Sequence, residues 1–226
     1  MEPSKKKVTS PDPLYLVKRK RIEQLKEKAL SGCLSSEDAT DTRPDQPAKA
    51  AKLAFFDSTD LHWWPQVSNT YSPTGHQVKV ETPGHQNPWY ALFGSLVYPS
   101  GEGVYTIHHQ KRHQEVQAHL TILLDSEPDT FWFVVLDNAS AHTTPALDDF
   151  LLKHQDRLEL VFLPTYSPNL NLIERLWKFM RGQVTNNQFF EDLPALAQAV
   201  VDWFEKLSFS QFCSLMGVDD PSCSSS

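Results

Sequence analysis

Cysteine is scarce in this sequence of 226 residues: Cys33, Cys213 and Cys223 are scattered and odd in number. That pattern argues against a disulfide framework and a cysteine-based zinc site, and it is typical of a reducing compartment. No apolar run approaches the roughly 20 residues that a membrane span needs. Because no apolar stretch follows the N-terminal residues either, no secretory signal is expected, and the sequence predicts a cytoplasmic protein.

Positive charge is also in short supply, and most of it lies at one end. Residues 1–52 hold 12 of the 21 Lys and Arg residues and 8 of the 28 Asp and Glu residues, which leaves a net charge of −11 on the rest. Such an acidic body repels phosphates unless cations or a basic partner compensate. The basic run Lys18–Arg21 has two interpretations, a solvated helix face or a contact with a DNA backbone.

Composition divides the chain into three parts. Residues 12–30 are rich in helix formers and Gly32 is expected to end that helix, whereas residues 33–50 show no periodicity. The first part, residues 1–51, is therefore predicted to be a basic helix followed by a flexible linker. Residues 52–216 form the predicted globular domain, and residues 217–226 are predicted to be a disordered tail.

The pattern of the globular part predicts three strands followed by alternating helices and strands, which indicates an α/β fold. Residues 89–97 and 103–109 are separated by a turn and favour an antiparallel hairpin. The run Phe131–Leu136 is apolar on both faces, so it is expected to be a buried strand. The remaining strands are expected at 52–56 and 158–163, and the helices at 113–124, 144–154, 172–180 and 193–207.

Three acidic residues follow these elements at positions suited to a metal site. Asp57 and Asp137 each end an apolar run, and Glu174 comes near the start of a helix. Two divalent cations about 4 Å apart, held by carboxylates, can catalyse phosphoryl transfer. Other interpretations stay open: Glu174 can form a capping arrangement with Asn171 as the N-cap, and an Asp at a strand end can simply be solvated. Asp60 also competes with Asp57 for its role.

Two motifs indicate a family. Residues 137–142, Asp-Asn-Ala-Ser-Ala-His, and the block from Phe162 to Trp177 resemble the catalytic core of DDE transposases, in the bacterial insertion-sequence branch of the mariner-like superfamily. The resemblance implies an RNase H-like fold with a five-stranded mixed sheet flanked by helices. It also implies that Asp57, Asp137 and Glu174 are the catalytic residues and bind two Mg²⁺ or Mn²⁺ ions. The implied reaction is cleavage at transposon ends followed by transfer of the freed 3′-OH strand to target DNA.

The sequence departs from the family pattern at several places. Leu172 stands where the family usually has Pro, and Ser58 where it often has Glu. Residues 1–52 are too short to hold the family's helix-turn-helix domains, so the resemblance suggests a catalytic half with separately encoded DNA-binding domains. A second hypothesis follows, a catalytically silent half that acts only as a binding partner. The implied partners are inverted repeats, target DNA and a second copy in a homodimer, with a nucleoid-associated location and no membrane.

Further residues are candidates for accessory roles. Asn138 and His142 follow Asp137 closely enough to orient a phosphate or a water, although each can equally be structural. The candidate DNA contacts, individually weak, are Lys111, Arg112, Lys178 and Arg181. The remaining histidines, including His119, show no zinc spacing and are interpreted as incidental.

Overall fold

The computed structural model describes residues 10–40, 47–66, 79–80 and 87–218, and its centre is one mixed sheet. The strands are β1 (Ala51–His62), β2 (Trp89–Tyr98), β3 (Gly103–His108), β4 (Phe131–Leu136) and β5 (Leu158–Phe162). Their order across the sheet is β3-β2-β1-β4-β5. The pairs β1–β2 and β2–β3 are antiparallel, while β1–β4 and β4–β5 are parallel. The predicted hairpin and the predicted mixed sheet are both confirmed.

Helices cover both faces of this sheet because its central strands are apolar on both sides. All six residues of β4 are buried, as predicted. Phe133 packs into the core on one face, and Val134 packs into the core on the other. The first core contains residues of α1 (Tyr15–Leu30), α4 (Ile173–Met180), α5 (Leu193–Lys206) and α6 (Phe209–Met216). The second contains residues of α2 (His113–Ser126) and is joined by residues of α3 (Asp148–Lys153).

Strand β1 is longer than the sequence predicts. The expected strand of five residues ending before Asp57 is a strand of 12 residues, because β2 pairs with it as far as His62↔Trp89. Asp57 is therefore not at a strand end, and that prediction was wrong. It lies in the middle of β1, just beyond Phe55, the last residue of β1 that pairs with β4. Polar residues in the second half of β1 hid the strand, since the antiparallel partner supports it without an apolar run.

The described part of the predicted linker is folded against the sheet. Leu34 is buried, Ser35 forms a bridge with Ala50, and a 3₁₀ turn spans Ser36–Asp38. The carboxylate of Glu159 in β5 accepts from the backbone N–H of Thr40. The prediction of a flexible linker is therefore wrong for residues 33–40 and 47–50. Backbone pairing and one buried side chain hold this segment, and neither leaves a periodic pattern in the sequence.

The N-terminal helix itself follows the prediction. It ends at Leu30, and Gly32 takes the left-handed conformation with φ of +69°. The predicted tail begins with Gly217, which ends α6 at φ +68°, and residues 219–226 lie outside the described part. Residues 1–9, 41–46, 67–78 and 81–86 also lie outside it, and with them Pro83–Gly84, a further part of the resemblance to the family. The division of the chain at residue 52 into a helix segment and a catalytic domain stays a prediction.

Two details of the helices differ from expectation. The helix expected at 144–154 begins as a 3₁₀ turn, Pro145–Leu147, before α3. Helix α6 was not predicted, because its eight residues follow α5 after only Leu207 and Ser208. Among the described helices, none is long and apolar enough to cross a bilayer.

Candidate active site

The parallel register of the two central strands brings the first two acids to the same level. Each paired residue of β1 lies opposite the residue 80 positions later in β4, from Ala51↔Phe131 to Phe55↔Val135. The same offset places Asp57 opposite Asp137, one residue past the end of β4. Side chains alternate along a strand, so these two acids continue the face of Phe55 and Val135. That face is the one that α4 covers.

Helix α4 supplies the third acid from its first turn, and its position is set by a close approach to β2. Trp177 is buried against Gly94, where a Cβ atom would lie 2.6 Å from Cη2 of the indole ring. The indole Nε1–H then donates to Oδ2 of Asp57 over 3.1 Å. With the helix held in this way, Glu174 faces the sheet edge where Asp57 and Asp137 lie. The buried residues of α4 are Ile173, Leu176, Trp177 and Met180.

All three acids line one cavity of about 350 Å³. Asn138, Asn171 and the loop Leu163–Pro168 complete its wall. The structure thus brings Asp57, Asp137 and Glu174 together as predicted. Within the described ranges, however, no three His, Cys, Asp or Glu side chains are close enough to hold a metal ion as they stand. The donors fit a hard divalent cation in kind, since they are carboxylate and amide oxygens with no thiol.

Burial and charge push the two aspartates in opposite directions. Burial of Asp57, together with the charges of Glu174 and Asp137, raises the pKa of Asp57 to about 6. The hydrogen bonds from His142 and from the backbone N–H of Ala139 lower the pKa of Asp137. A bound cation favours the ionised form of each carboxylate. The cavity therefore concentrates negative charge, and Asp57 is the carboxylate whose ionised form is most disfavoured.

His142 and Asn138 both hold the end of β4 in place. His142 is buried, and its Nδ1 lies 2.7 Å from Oδ1 of Asp137. Because a carboxylate only accepts, Nδ1 carries the proton in this hydrogen bond. Asn138 donates from Nδ2 to the backbone carbonyl of Leu163 over 2.7 Å, which ties the ends of β4 and β5 together. Both residues support Asp137 and the cavity wall.

The predicted basic residues are placed very differently from one another. Arg181 donates from Nη1 to Oγ1 of Thr59, which lies on the same face of β1 as Asp57. Lys111 pairs with Asp60 over 2.7 Å on the opposite face of β1, although its charge still lowers the pKa of Asp137. Asp60 does not line the cavity, so it does not replace Asp57. Arg112 precedes α2 and Lys178 is exposed on α4.

Sequence reasoning misassigned Asn171. The expected N-cap bond is absent, and α4 begins after Leu172 without a side-chain cap. Asn171 is 3% exposed, and its Nδ2 donates instead to the backbone carbonyl of Phe56 over 3.0 Å. The competing partner lies 115 residues away in the chain. A local capping pattern gives no signal of such a contact.

The cavity loop is braced from outside by the N-terminal segment, which the sequence did not indicate. The backbone N–H of Thr165 donates to Oδ2 of Asp12 over 3.1 Å, and Ser10 Oγ donates to the Thr165 carbonyl over 2.5 Å. Next to it, Tyr166 has φ of +56° and is 75% exposed. Non-glycine residues in the left-handed region cluster at functional sites. Tyr166 is thus an aromatic side chain held out at the rim of the cavity.

The sequence matches known proteins over most of its length. The sequence model of the DDE superfamily endonucleases matches residues 52–197. An uncharacterized protein, y4pE/y4sA of Sinorhizobium fredii, is 34% identical over 105 residues, which are 46% of this chain and 74% of that protein. The uncharacterized 39 kDa protein of insertion element IS630 from Shigella sonnei is 27% identical over 169 residues, 73% of this chain. The chain spans about half of that protein, 48% of its length.

Solved structures with the same fold come from the Mos1 mariner transposase. The paired-end complex of that transposase with the left transposon end matches with a TM-score of 0.57 at 17% identity, covering 96% of this chain and 63% of that one. Mos1 paired-end complexes have also been determined with Mn and with Mg. The likeness confirms the predicted RNase H-like fold, a mixed five-stranded sheet flanked by helices.

Proposed function

The chain belongs to the DDE superfamily endonucleases, and from that membership we propose that it is the catalytic domain of an insertion-sequence transposase. The observation that carries the proposal is the convergence of Asp57, Asp137 and Glu174 on one cavity at the edge of the sheet. In the proposal these carboxylates hold two divalent cations, Mg²⁺ or Mn²⁺. When bound, such cations stabilise charge on phosphate oxygens and activate a water.

The chain's own residues keep the carboxylates ready for that role. Trp177 fixes one oxygen of Asp57 by a hydrogen bond, and His142 fixes one oxygen of Asp137. Glu174 comes from a helix whose buried side is packed on β1 and β2. Oxygens held by packing and hydrogen bonds lose little freedom when they bind a ligand. We therefore assign His142 and Trp177 as positioning residues.

The proposed reaction has two phosphoryl-transfer steps. In the first, the oxygen of water bonds to a phosphorus atom at a transposon end and the bond from phosphorus to the 3′ oxygen breaks. This leaves a 3′-OH and a 5′-phosphate. In the second, that 3′-OH attacks a phosphorus of target DNA, a new phosphodiester forms, and a 3′-OH of the target is released. Asp57 and Asp137 line a single cavity, which supports their acting on one substrate phosphate.

DNA is the proposed partner, and the surface around the cavity offers limited means to hold it. Arg181 is bonded to Thr59, on the face of β1 that carries Asp57, and can pair with a phosphate. Tyr166 offers an exposed ring on which a base can stack. The acidic body leaves most DNA affinity to other elements. We propose that a second copy of the chain and a separately encoded helix-turn-helix segment supply it. That DNA is the partner is supported by the likeness to a Mos1 transposase complex with a transposon end.

A plasmid assay tests the proposed function. Purified chain is incubated with supercoiled plasmid in Mn²⁺, and nicking is compared between wild type and Asp137→Asn. We expect nicking in the wild type and a loss of at least about 100-fold in the variant. Asp137→Asn removes a carboxylate ligand of the cations that stabilise the transition state, and losing one such stabilising group has effects of this size. The control is Asp149→Asn, an exposed acid on α3 away from the cavity, which is expected to leave nicking unchanged.

Two results contradict the proposal. Equal nicking by wild type and Asp137→Asn would assign the activity to a contaminant or to another site. Absence of nicking together with tight Mn²⁺ binding would favour the second hypothesis, a silent half that serves only as a binding partner. Calorimetric titration of Mn²⁺ into the same preparations separates these cases.

A further inference from the structure

The amide of Asn171 occupies the junction between the cavity loop and α4. Its Nδ2 donates to the carbonyl of Phe56, the residue before Asp57, and its own backbone carbonyl accepts from the N–H of Glu174 over 3.3 Å. The residue is thus bonded to the neighbour of one acid and to the backbone of another. Any shift of Asn171 moves both acids relative to each other.

Chemistry fixes which end of the amide is which. The Phe56 carbonyl can only accept a hydrogen bond. The NH₂ group must therefore face Phe56, and the other atom must be Oδ1. That Oδ1 is buried and has no hydrogen-bond partner among the described residues. A buried acceptor without a partner costs about 1–3 kcal/mol, so the arrangement calls for a missing donor or cation.

The unpartnered oxygen belongs to a residue that lines the same cavity as Asp57, Asp137 and Glu174. We propose that Oδ1 of Asn171 is a further oxygen ligand in the cation site, one that neither the motif nor the capping pattern assigns. This inference rests on the proposed function, because it extends the carboxylate site rather than defining a new one. Amide carbonyl oxygens are ordinary ligands of hard divalent cations.

A neutral ligand at this position destabilises the metal-free protein less than a fourth acid would. Three carboxylates already line the cavity, and another carboxylate there would add to their mutual repulsion. An amide oxygen adds coordination without adding charge. The cation would satisfy Oδ1 at the same time as it relieves the repulsion among the acids.

Two substitutions at Asn171 separate a ligand from a structural support. Asn171→Ala removes both the oxygen and the hydrogen bond to Phe56, whereas Asn171→Asp keeps an oxygen and loses the amide hydrogens. Mn²⁺ alone is the probe, and its affinity is measured by calorimetry and by the rise in unfolding temperature that it causes. We expect Asn171→Ala to bind Mn²⁺ about 10-fold or more weakly and Asn171→Asp to bind at least as tightly as wild type.

Ser95→Ala is the control for lost stability. Ser95 is fully buried and its hydroxyl lies 2.9 Å from Nε2 of His119, on the face of the sheet away from the cavity. This variant is expected to lower the unfolding temperature of the metal-free protein and to leave Mn²⁺ affinity unchanged. It shows whether a destabilised fold by itself weakens the cation site.

The outcomes divide cleanly. Wild-type Mn²⁺ affinity in Asn171→Ala would overturn the inference. An equal loss of Mn²⁺ affinity in Asn171→Ala and Asn171→Asp would also overturn it, because both variants lose the hydrogen bond to Phe56 and that loss would then explain the result. Either result leaves the carboxylate site standing if Asp137→Ala abolishes binding. If wild type and Asp137→Ala bind Mn²⁺ equally, the carboxylate site fails and the inference fails with it.

Discussion

At the scale of the single residue, the stability of the fold and the chemistry of the cavity make opposite demands on Asp57. Its side chain is inside the protein, its neighbours in the cavity are acids, and its pKa is raised to about 6. Ionisation therefore destabilises the folded chain when no cation is present. Such strain is common where function requires a charge that the fold alone would reject.

This conflict predicts a stabilising substitution. Well below pH 3.8 Asp57 is protonated in both the folded and the unfolded chain, and between pH 3.8 and about 6 the folded protein progressively loses up to about 3 kcal/mol of unfolding free energy through this group. Asp57→Asn removes that loss. We expect the variant to be more stable than wild type at pH 7, by up to that amount, and to gain much less at pH 4, where the loss has only begun. Urea unfolding of the metal-free proteins at both pH values measures it.

The comparison must be made as a difference between the two proteins, because His119 acts in the opposite sense. Burial lowers the pKa of His119 to about 3, so acid favours unfolding through this residue below its ordinary value of 6.5. That contribution is the same in wild type and Asp57→Asn and cancels. An equal stability difference at pH 4 and pH 7 would contradict the assignment.

The role of a single residue was predictable where a sequence motif contains it. It was not predictable where the role depends on a partner far away in the chain. The motif indicated Asp137 and Glu174, and the apolar run before Asp57 located the first acid. The buried role of Asn171 depends on Phe56, and that of His119 depends on Ser95 and Thr106, whose hydroxyls lie within 3 Å of its ring nitrogens. No local pattern records these contacts.

At the scale of the element, α4 is placed by the absence of a side chain at Gly94. We expect Gly94→Ala to push Trp177 and Ile173 away and to lower the unfolding free energy by about 1–3 kcal/mol, the usual cost of overpacking. The displaced indole also loses its hydrogen bond to Asp57, so Mn²⁺ affinity should fall. Urea unfolding and calorimetry test the two effects.

Gly182 provides the matched control. A Cβ atom there meets nothing within 4 Å, and the backbone does not need a positive φ. Gly182→Ala should change stability by no more than about 0.5 kcal/mol and leave Mn²⁺ affinity unchanged. If both alanine variants behave alike, the close approach of Trp177 to β2 does not position α4.

Most elements were predictable because their apolar residues recur at strand or helix spacing. The strands β2 to β5 and the helices α2 and α4 all fall near their expected places. The second half of β1 was missed because Ser58, Thr59 and Asp60 interrupt its apolar run. Its partner β2 supplies the hydrogen bonds that the pattern could not reveal.

At the scale of the whole molecule, the N-terminal helix is part of the core. Leu25 is 1% exposed, and Leu16 on the same helix is 75% exposed. Leu25→Ala should lower the unfolding free energy by about 2–5 kcal/mol, and Leu16→Ala by no more than about 0.5 kcal/mol. Urea unfolding distinguishes them. Equal small effects would mean that α1 is not packed on the sheet in solution.

The architecture of the whole molecule was predictable from the family resemblance more than from periodicity. Periodicity indicates which elements exist, but the order β3-β2-β1-β4-β5 depends on long-range pairing. The attachment of residues 33–40 to β5 through Glu159 could not be read from composition, which resembles that of a linker. Polar residues that hydrogen-bond to a distant strand look the same in sequence as polar residues in solvent.

The pairing of His62 with Trp89 at the end of the β1–β2 ladder has a consequence for engineering and for divergence within the family. The chain leaves the sheet at His62 and returns to it at Trp89, so the two ends of the 26-residue connection are adjacent. The alignment of Asp57 with Asp137 is set instead by the pairing of β1 with β4. A longer connection adds only a slowly growing entropic cost, about 0.6 kcal/mol for each doubling. A reporter domain spliced between His62 and Trp89 should therefore leave the register of the two aspartates intact.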